Sequence, residues 1–465
     1  MSGPGEVVKE QHRLIAEEQK PRTARSKKTL QAARETWDYI KNEYATGHQW
    51  KKEGKPIAWS CALVEKDLFY AMGVHPFFPE QFAALAAVRR KTQDSEKEAV
   101  RLCRMAEAEG FRDYLCGYAR ACLGYVLSGD LSDAPLGGMP APDFMITTSS
   151  TCDVRLKWFE YMAQKLKVPL FTLDRPEHQQ DMIACYPGMR GLVYPYKHSL
   201  ERGKVDFVQS HAADYEIDYY ISQLEDCLSF MEKVTGNKVT MDRLNECMDW
   251  SYKTNNVRQE ILQLRKAVPA PMPATDGFGT MYPGMYTSGT ERCYNFYKKL
   301  RDELKYNVEH GIGAIPNERF RLLWYGLPTW YNMGIFNYFE KYGGVFVYEP
   351  AYNPLPWPPR RPDDPLREMA MRTLMGGTGL GSHLSSLIHD CREYKISGVV
   401  LSYLITCRPY AFPATLVRKF LEEELDIPTV ALESDLVDER LFSEGQMYTR
   451  LDAFAEQLLK RGPRS

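Results

Sequence analysis

The chain has 465 residues, a formal net charge of −2, 44% hydrophobic and 26% charged residues. That balance excludes a disordered chain, and the near-zero charge gives no overall field to hold nucleic acid. No apolar run approaches the roughly 20 residues that span a bilayer, and the charged opening MSGPGEVVKEQHRLIAEEQK lacks the core of a secretory signal, so a cytoplasmic protein without membrane contact is expected.

In chain order, residues 1–50 read as a polar, helical N-terminal arm, and the basic run KPRTARSKK is expected to be a solvated arm or a docking arm. The segment KPIAWSCALVEKDLFYAMGVHPFF then places a short apolar run, a helical stretch ending at Gly73 and a second short apolar run in succession. This is β-α-β grammar, which predicts parallel strands covered by helices. Residues 79–128 carry helical spacing, and DFMITTSS and VPLFTLDRP read as further strands on either side of the helix VRLKWFEYMAQKL. Residues 51–212 are therefore expected to form a first α/β domain. Residues 213–292 are expected to be a helical connector followed by a Pro/Gly-rich loop over Val268–Ser288. Residues 293–465 then supply four buried-type strands, FRLLWYG, GGVFVYEP, SGVVLSYLIT and PTVALESD, separated by helices. The expectation is two doubly wound parallel-sheet domains.

Ligands of such sheets sit beyond the C-terminal strand ends. Cys152 and Cys407 each follow a strand, as do Gly326 and Pro328 after the strand ending at Tyr325, and Glu433, Ser434 and Asp435 after the strand ending at Leu432. If the two sheets face one another, Cys152 and Cys407 meet in the cleft between them. Eleven cysteines are present and none forms a C-x-x-C pair, so spacing alone nominates no ligand, and most cysteines of such a chain are small core residues. The 29 tyrosines either line an apolar pocket or interface or pack a core with their tips in water.

Three ordered motifs resemble the family of 2-hydroxyacyl-CoA dehydratases and ATP-dependent benzoyl-CoA reductases. LCGYARACLG matches a Cys-x-x-x-Arg-x-x-Leu-Gly element through Cys116, Arg120, Leu123 and Gly124, and TTSSTCD matches a strand followed by Cys-Asp through Cys152 and Asp153. The C-terminal stretch from SGVVLSYLITC onward matches through Cys407 and through Gly445, Gln446, Thr449, Arg450, Ala453 and Phe454. The resemblance implies that Cys116, Cys152 and Cys407 hold a 4Fe-4S cluster in the interdomain cleft, with Cys122 left in the core. It also implies an acyl-CoA substrate, a smaller homologous cluster-bearing subunit and an ATP-hydrolysing iron–sulfur activase. No G-x-x-x-x-G-K-[ST] occurs here, so ATP hydrolysis is not expected on this chain.

Where many dehydratase subunits read Pro-x-Glu and, four residues after the glutamate, Ala-x-Gly, this chain has Glu65, Lys66, Asp67, then Ala71, Met72, Gly73. The long arm and the LVEKDLFYAMGVHPFFPEQ segment look more like the larger cluster subunit of a benzoyl-CoA reductase. The expected activity is ring reduction of benzoyl-CoA to a cyclohexadiene-carbonyl-CoA. Dehydration of a 2-hydroxyacyl-CoA is the alternative enzyme, and a cluster-free structural or electron-relay subunit is the alternative of another class. Ring reduction needs protons, which makes His75, His211 and Glu65 candidates, although lone histidines are more often structural and Glu65 with Asp67 can equally be a capping or surface pair. Arg120 and Arg450 can hold a thioester or its phosphates, or lock domain contacts. The glycine-rich run Met375–Ser382, with Gly377, Gly379 and Gly381, can cradle a coenzyme A phosphate or be an ordinary turn.

Overall fold

The computed structural model describes residues 26–90, 95–150, 152–176, 212–374 and 380–461. Helix α1 (Gln31–Lys52) leads to β1 (Ile57–Ser60), α2 (Lys66–Met72), β2 (His75–Phe77), α3 (Pro79–Val88), α4 (Glu98–Ala108) and α5 (Gly117–Leu127). Then come β3 (Phe144–Thr148), α6 (Asp153–Leu166) and β4 (Leu170–Leu173). The middle of the chain is helical, with α7 (Asp214–Thr235), α8 (Met241–Leu264), α9 (Ala274–Gly279), α10 (Met281–Tyr286) and α11 (Glu291–Glu309). A second alternation follows: β5 (Phe320–Tyr325), 3₁₀ turns over Trp330–Tyr342, β6 (Gly344–Tyr348), α12 (Pro365–Leu374) and α13 (Leu380–Glu393), then β7 (Gly398–Leu404), α14 (Arg408–Glu424), β8 (Thr429–Ser434) and α15 (Glu444–Arg461).

The strands form two parallel sheets of the same design, ordered β2-β1-β3-β4 and β6-β5-β7-β8. Strands such as β1, β3 and β5 are buried along their whole length, as parallel strands covered by helices on both faces must be. In each sheet the order reverses beside the first strand, and the crevice above the C-terminal ends of β1 and β3, or of β5 and β7, is the expected ligand position. The α/β, doubly wound architecture read from the sequence is what the chain adopts.

Two expectations meet a different outcome. The Pro/Gly-rich stretch Val268–Ser288 winds into the short helices α9 and α10, because its prolines at 269, 271 and 273 precede α9 and a proline before the first turn does not oppose a helix. Of the basic run, residues 20–25 lie outside the described residues and Lys27 is exposed, but Lys28 is half-buried: its Nζ donates to the Thr275 carbonyl beside Asp276, and burial pulls its pKa down to about 8. Asp276 also accepts from the Thr29 and Leu30 amides at 3.0 and 3.1 Å, which anchors the start of α1. Helix α1 then packs Leu30, Ala32 and Ala33 against Leu300 and Leu304 of α11.

A cysteine-lined candidate site between the sheets

Cys152 and Cys407 occupy equivalent places, each just past the third strand in chain order of its sheet and each at the N-cap of the next helix, α6 or α14. Cys116 is likewise the N-cap of α5. The residues that follow Cys152 and Cys407 show how closely the two loops approach, since Asp153 and Arg408 form an ion pair. That pair is exposed and adds little stability. It marks proximity.

All three thiols are free, Cys116 buried and the other two half-buried. Burial raises the Cys116 thiol well above its ordinary range, and the nearby Cys407, Asp435 and Cys152 raise it further. The Cys407 thiol is pushed up to about 12 by burial, with Cys152 and Asp435 adding to the effect. Opposing this are the Ala119 amide at Cys116 and the Tyr410 amide and Arg155 at Cys407. Helix N-termini favour thiolates, so at Cys116 and Cys407 the backbone is arranged for anions that burial otherwise keeps protonated. A soft cation resolves that conflict.

Beneath the thiols lies a buried ionic frame. Asp435 accepts from the Val437 and Asp438 amides, both at 2.8 Å, and from the Thr406 hydroxyl. Arg120 is fully buried and donates from Nη1 to Glu107 at 2.8 Å and Asp438 at 2.7 Å, and from Nε to the Leu115 carbonyl at 3.0 Å. Its guanidinium thus joins α5 to the loop after β8. Beside the thiols stand Arg155, one turn after Cys152, and Glu80 at the start of α3, 3.3 Å apart. Tyr352 and Tyr410 are within electrostatic reach of Cys407. Trp330 Nε1 donates to the Tyr118 hydroxyl, which is hydrogen-bonded to Tyr352.

The other sequence candidates do not converge here. Glu65 accepts from Thr373 Oγ1 at 2.5 Å and from Arg372 Nη2 at 2.6 Å, and Arg372 also binds Asp67, whose Oδ1 accepts from Ser251 at 2.7 Å. Glu65 stands at the N-cap of α2 without a side-chain capping hydrogen bond, and half-buried beside the buried Asp67 it forms with it a two-carboxylate clamp onto α12. His75 is packed between the Trp50 and Phe77 rings, centroids 5.6 and 5.1 Å away, and burial lowers its pKa to about 4. It is neutral at physiological pH and its ring faces α1. Arg450 is exposed on α15 and reaches the Ala431 carbonyl at 3.4 Å. Gly381 lies in the first turn of α13. His211, Gly377 and Gly379 fall outside the described residues. Glu80, Arg155 and Tyr352 carried no motif of their own, although Arg155 was findable as the residue one helical turn beyond Cys152.

The chain is 25% identical over 419 residues to the (R)-phenyllactyl-CoA dehydratase alpha subunit of Clostridium sporogenes, covering 88% of this chain and 91% of that one. It is 24% identical over 428 residues to the (R)-2-hydroxyisocaproyl-CoA dehydratase alpha subunit of Clostridioides difficile, covering 91% and 95%. It is 26% identical over 379 residues to a subunit of the benzoyl-CoA reductase of Thauera aromatica, covering 76% and 78%. Residues 61–458 match the 2-hydroxyglutaryl-CoA dehydratase, D-component family, and the chain belongs to that family.

Proposed function

We propose that this chain is the larger cluster-bearing subunit of a benzoyl-CoA reductase, holding a 4Fe-4S cluster on Cys116, Cys152 and Cys407. The observation that carries the reading is the convergence of three free N-cap thiols from both sheets on one site. Thiolates are the usual ligands of polynuclear iron–sulfur groups. When bound, such a cluster supplies low-potential single electrons. The chain's own residues set the sulfurs against helix N-termini and bring Tyr352 and Tyr410 within electrostatic reach of Cys407.

An aromatic acyl group suits such neighbours, because ring faces and edges pack favourably against tyrosine. Asp67 stands where many dehydratase subunits carry glutamate, which weakens direct carry-over of a dehydratase site to this chain. The partners in this reading are a smaller homologous cluster-bearing subunit and an ATP-hydrolysing iron–sulfur activase, and the substrate is benzoyl-CoA. A second reading, radical dehydration of a 2-hydroxyacyl-CoA, draws support from the dehydratase alpha subunits, which align over more of the chain than the reductase subunit does.

Anaerobic co-purification with the partner subunit and electron donor, followed by assay with both thioesters, separates the readings. Diene formation from benzoyl-CoA without water loss from a 2-hydroxyacyl-CoA is expected. The reverse pattern assigns the chain to the dehydratases, and a folded, iron-free, colourless complex rejects both.

A further inference from the structure

Glu80 sits in the first turn of α3 with its carboxyl buried, 6% of the residue being exposed. Its Oε1 accepts a long hydrogen bond from the Ala62 amide at 3.4 Å and lies 3.3 Å from Arg155 Nε. Its Oε2 has no hydrogen-bond partner among the described residues. A buried carboxylate oxygen left bare is rare in a native protein. The titratable groups around it are Arg155, Lys66, Cys61, Cys122, Tyr286 and Tyr352. Lys66 directs a proton to the Ala62 carbonyl. Burial is the dominant influence on Glu80 and raises its pKa, with Arg155 and the Ala62 amide pulling the other way.

Tyr352 shows a matching surplus on the other side. Because the indole of Trp330 can only donate, the Tyr118 hydroxyl accepts from it and turns its own proton to Tyr352. Tyr352 therefore keeps its proton, and among the described residues no acceptor takes it. The oxygen without a partner and the hydroxyl proton without an acceptor lie within electrostatic reach of one another, and both are near the cysteines, Glu80 through Arg155 and Tyr352 through Cys407.

We infer that Glu80 is the general acid of the acyl site, passing its carboxyl proton to the acyl group of a bound thioester that Tyr352 holds by a hydrogen bond. This rests on the thioester reading above. Either chemistry requires such a proton. In ring reduction it forms a C–H bond on a carbon that has taken an electron from a low-potential one-electron donor. In dehydration it joins the departing hydroxyl, which leaves as water. In both, the Glu80 O–H bond breaks, its electron pair stays on the carboxylate, and Arg155 meets the new negative charge.

The test uses the complete complex with Glu80→Gln, Glu80→Asp and Tyr352→Phe. Glu80→Gln should lower kcat by roughly 10²–10⁴-fold, the usual range for a general acid, with KM and iron per chain unchanged. Glu80→Asp should restore part of the rate, and Tyr352→Phe should raise KM with little change in kcat. At neutral pH an infrared carboxylic-acid band should be present in the wild type and absent from Glu80→Gln, a readout that needs no turnover. Wild-type kcat in Glu80→Gln, or no band lost, overturns the inference and leaves the thioester reading standing. A wild-type complex that binds and converts neither thioester overturns that reading and the role of Glu80 with it.

Discussion

Gly117 lies directly against Asp435: a β-carbon at position 117 would come within 2.1 Å of Asp435 Oδ1. Gly117 follows Cys116, and Asp435 is pinned by two amides and Thr406, next to Cys407. The contact therefore sets how near α5 can come to the loop after β8, and with it how near two of the three sulfurs come to each other. Gly117→Ala should force them apart, destabilising the chain by about 1–3 kcal/mol as other overpacked sites do and lowering iron per chain after anaerobic reconstitution. Calorimetry and an iron assay on the same preparation check this, and unchanged iron would show that the spacing tolerates a methyl group.

The three thiols should be separable from the rest of the cysteines by substitution. Cys116→Ser, Cys152→Ser and Cys407→Ser are each expected to lose most of the bound iron while staying folded. Cys122→Ala, which removes a buried thiol that only reaches the Pro79 carbonyl at 3.2 Å, should retain it. Iron quantified per chain beside far-ultraviolet circular dichroism distinguishes the two groups.

Arg372 is the buried cation that holds Glu65 and Asp67 to α12. Replacing it by leucine leaves two carboxylates buried without their counter-charge, a change that typically costs about 3–5 kcal/mol. Adding Asp67→Asn to Arg372→Leu should recover part of the loss. Urea midpoints of the single and double variants measure both effects, and an unaltered midpoint in the single variant would mean that water reaches the clamp.

His75 gives a pH signature of known sign. Its pKa falls from the ordinary 6.5 to about 4 on folding, so the unfolded chain binds the proton more readily. Stability is then full above pH 6.5, declines as pH falls from 6.5 to 4, and is flat below. A shift of this size bounds the loss at roughly 3 kcal/mol. Glu43, whose carboxyl burial lifts to about 7, changes in the opposite sense between its unfolded value and 7, so the comparison must be between wild type and His75→Phe. The variant should show a shallower loss of stability between pH 6.5 and 4 in denaturant titrations.

The strands were legible because each is a short apolar run closed by glycine or a polar cluster. FRLLWYG and SGVVLSYLIT contain β5 and β7 at the expected places. The rule that ligands gather past parallel strand ends also puts Cys152, Cys407 and Asp435 on one side of their sheets from chain order alone. What stayed hidden depends on partners far away in the chain. Glu65 and Asp67 looked like a surface pair because Arg372 is some three hundred positions distant. His75 looked available because nothing local announces the rings of Trp50 and Phe77 around it. The common strand order of the two halves was equally invisible, since it resides in topology and leaves no repeated residues.

The core around the first sheet includes Leu404, Leu436 and Val437, which belong to the second half of the chain, together with Met369, Ala370 and Leu374 of α12. The halves are thus interlocked. Severing the chain near residue 265 would strip the N-terminal fragment of part of its own interior and leave the C-terminal one with an uncovered greasy seam. The first half should therefore lose structure together with the segments at 369–374, 404 and 436–437 that complete its interior, and on the ribosome that interior should close only after those residues have emerged.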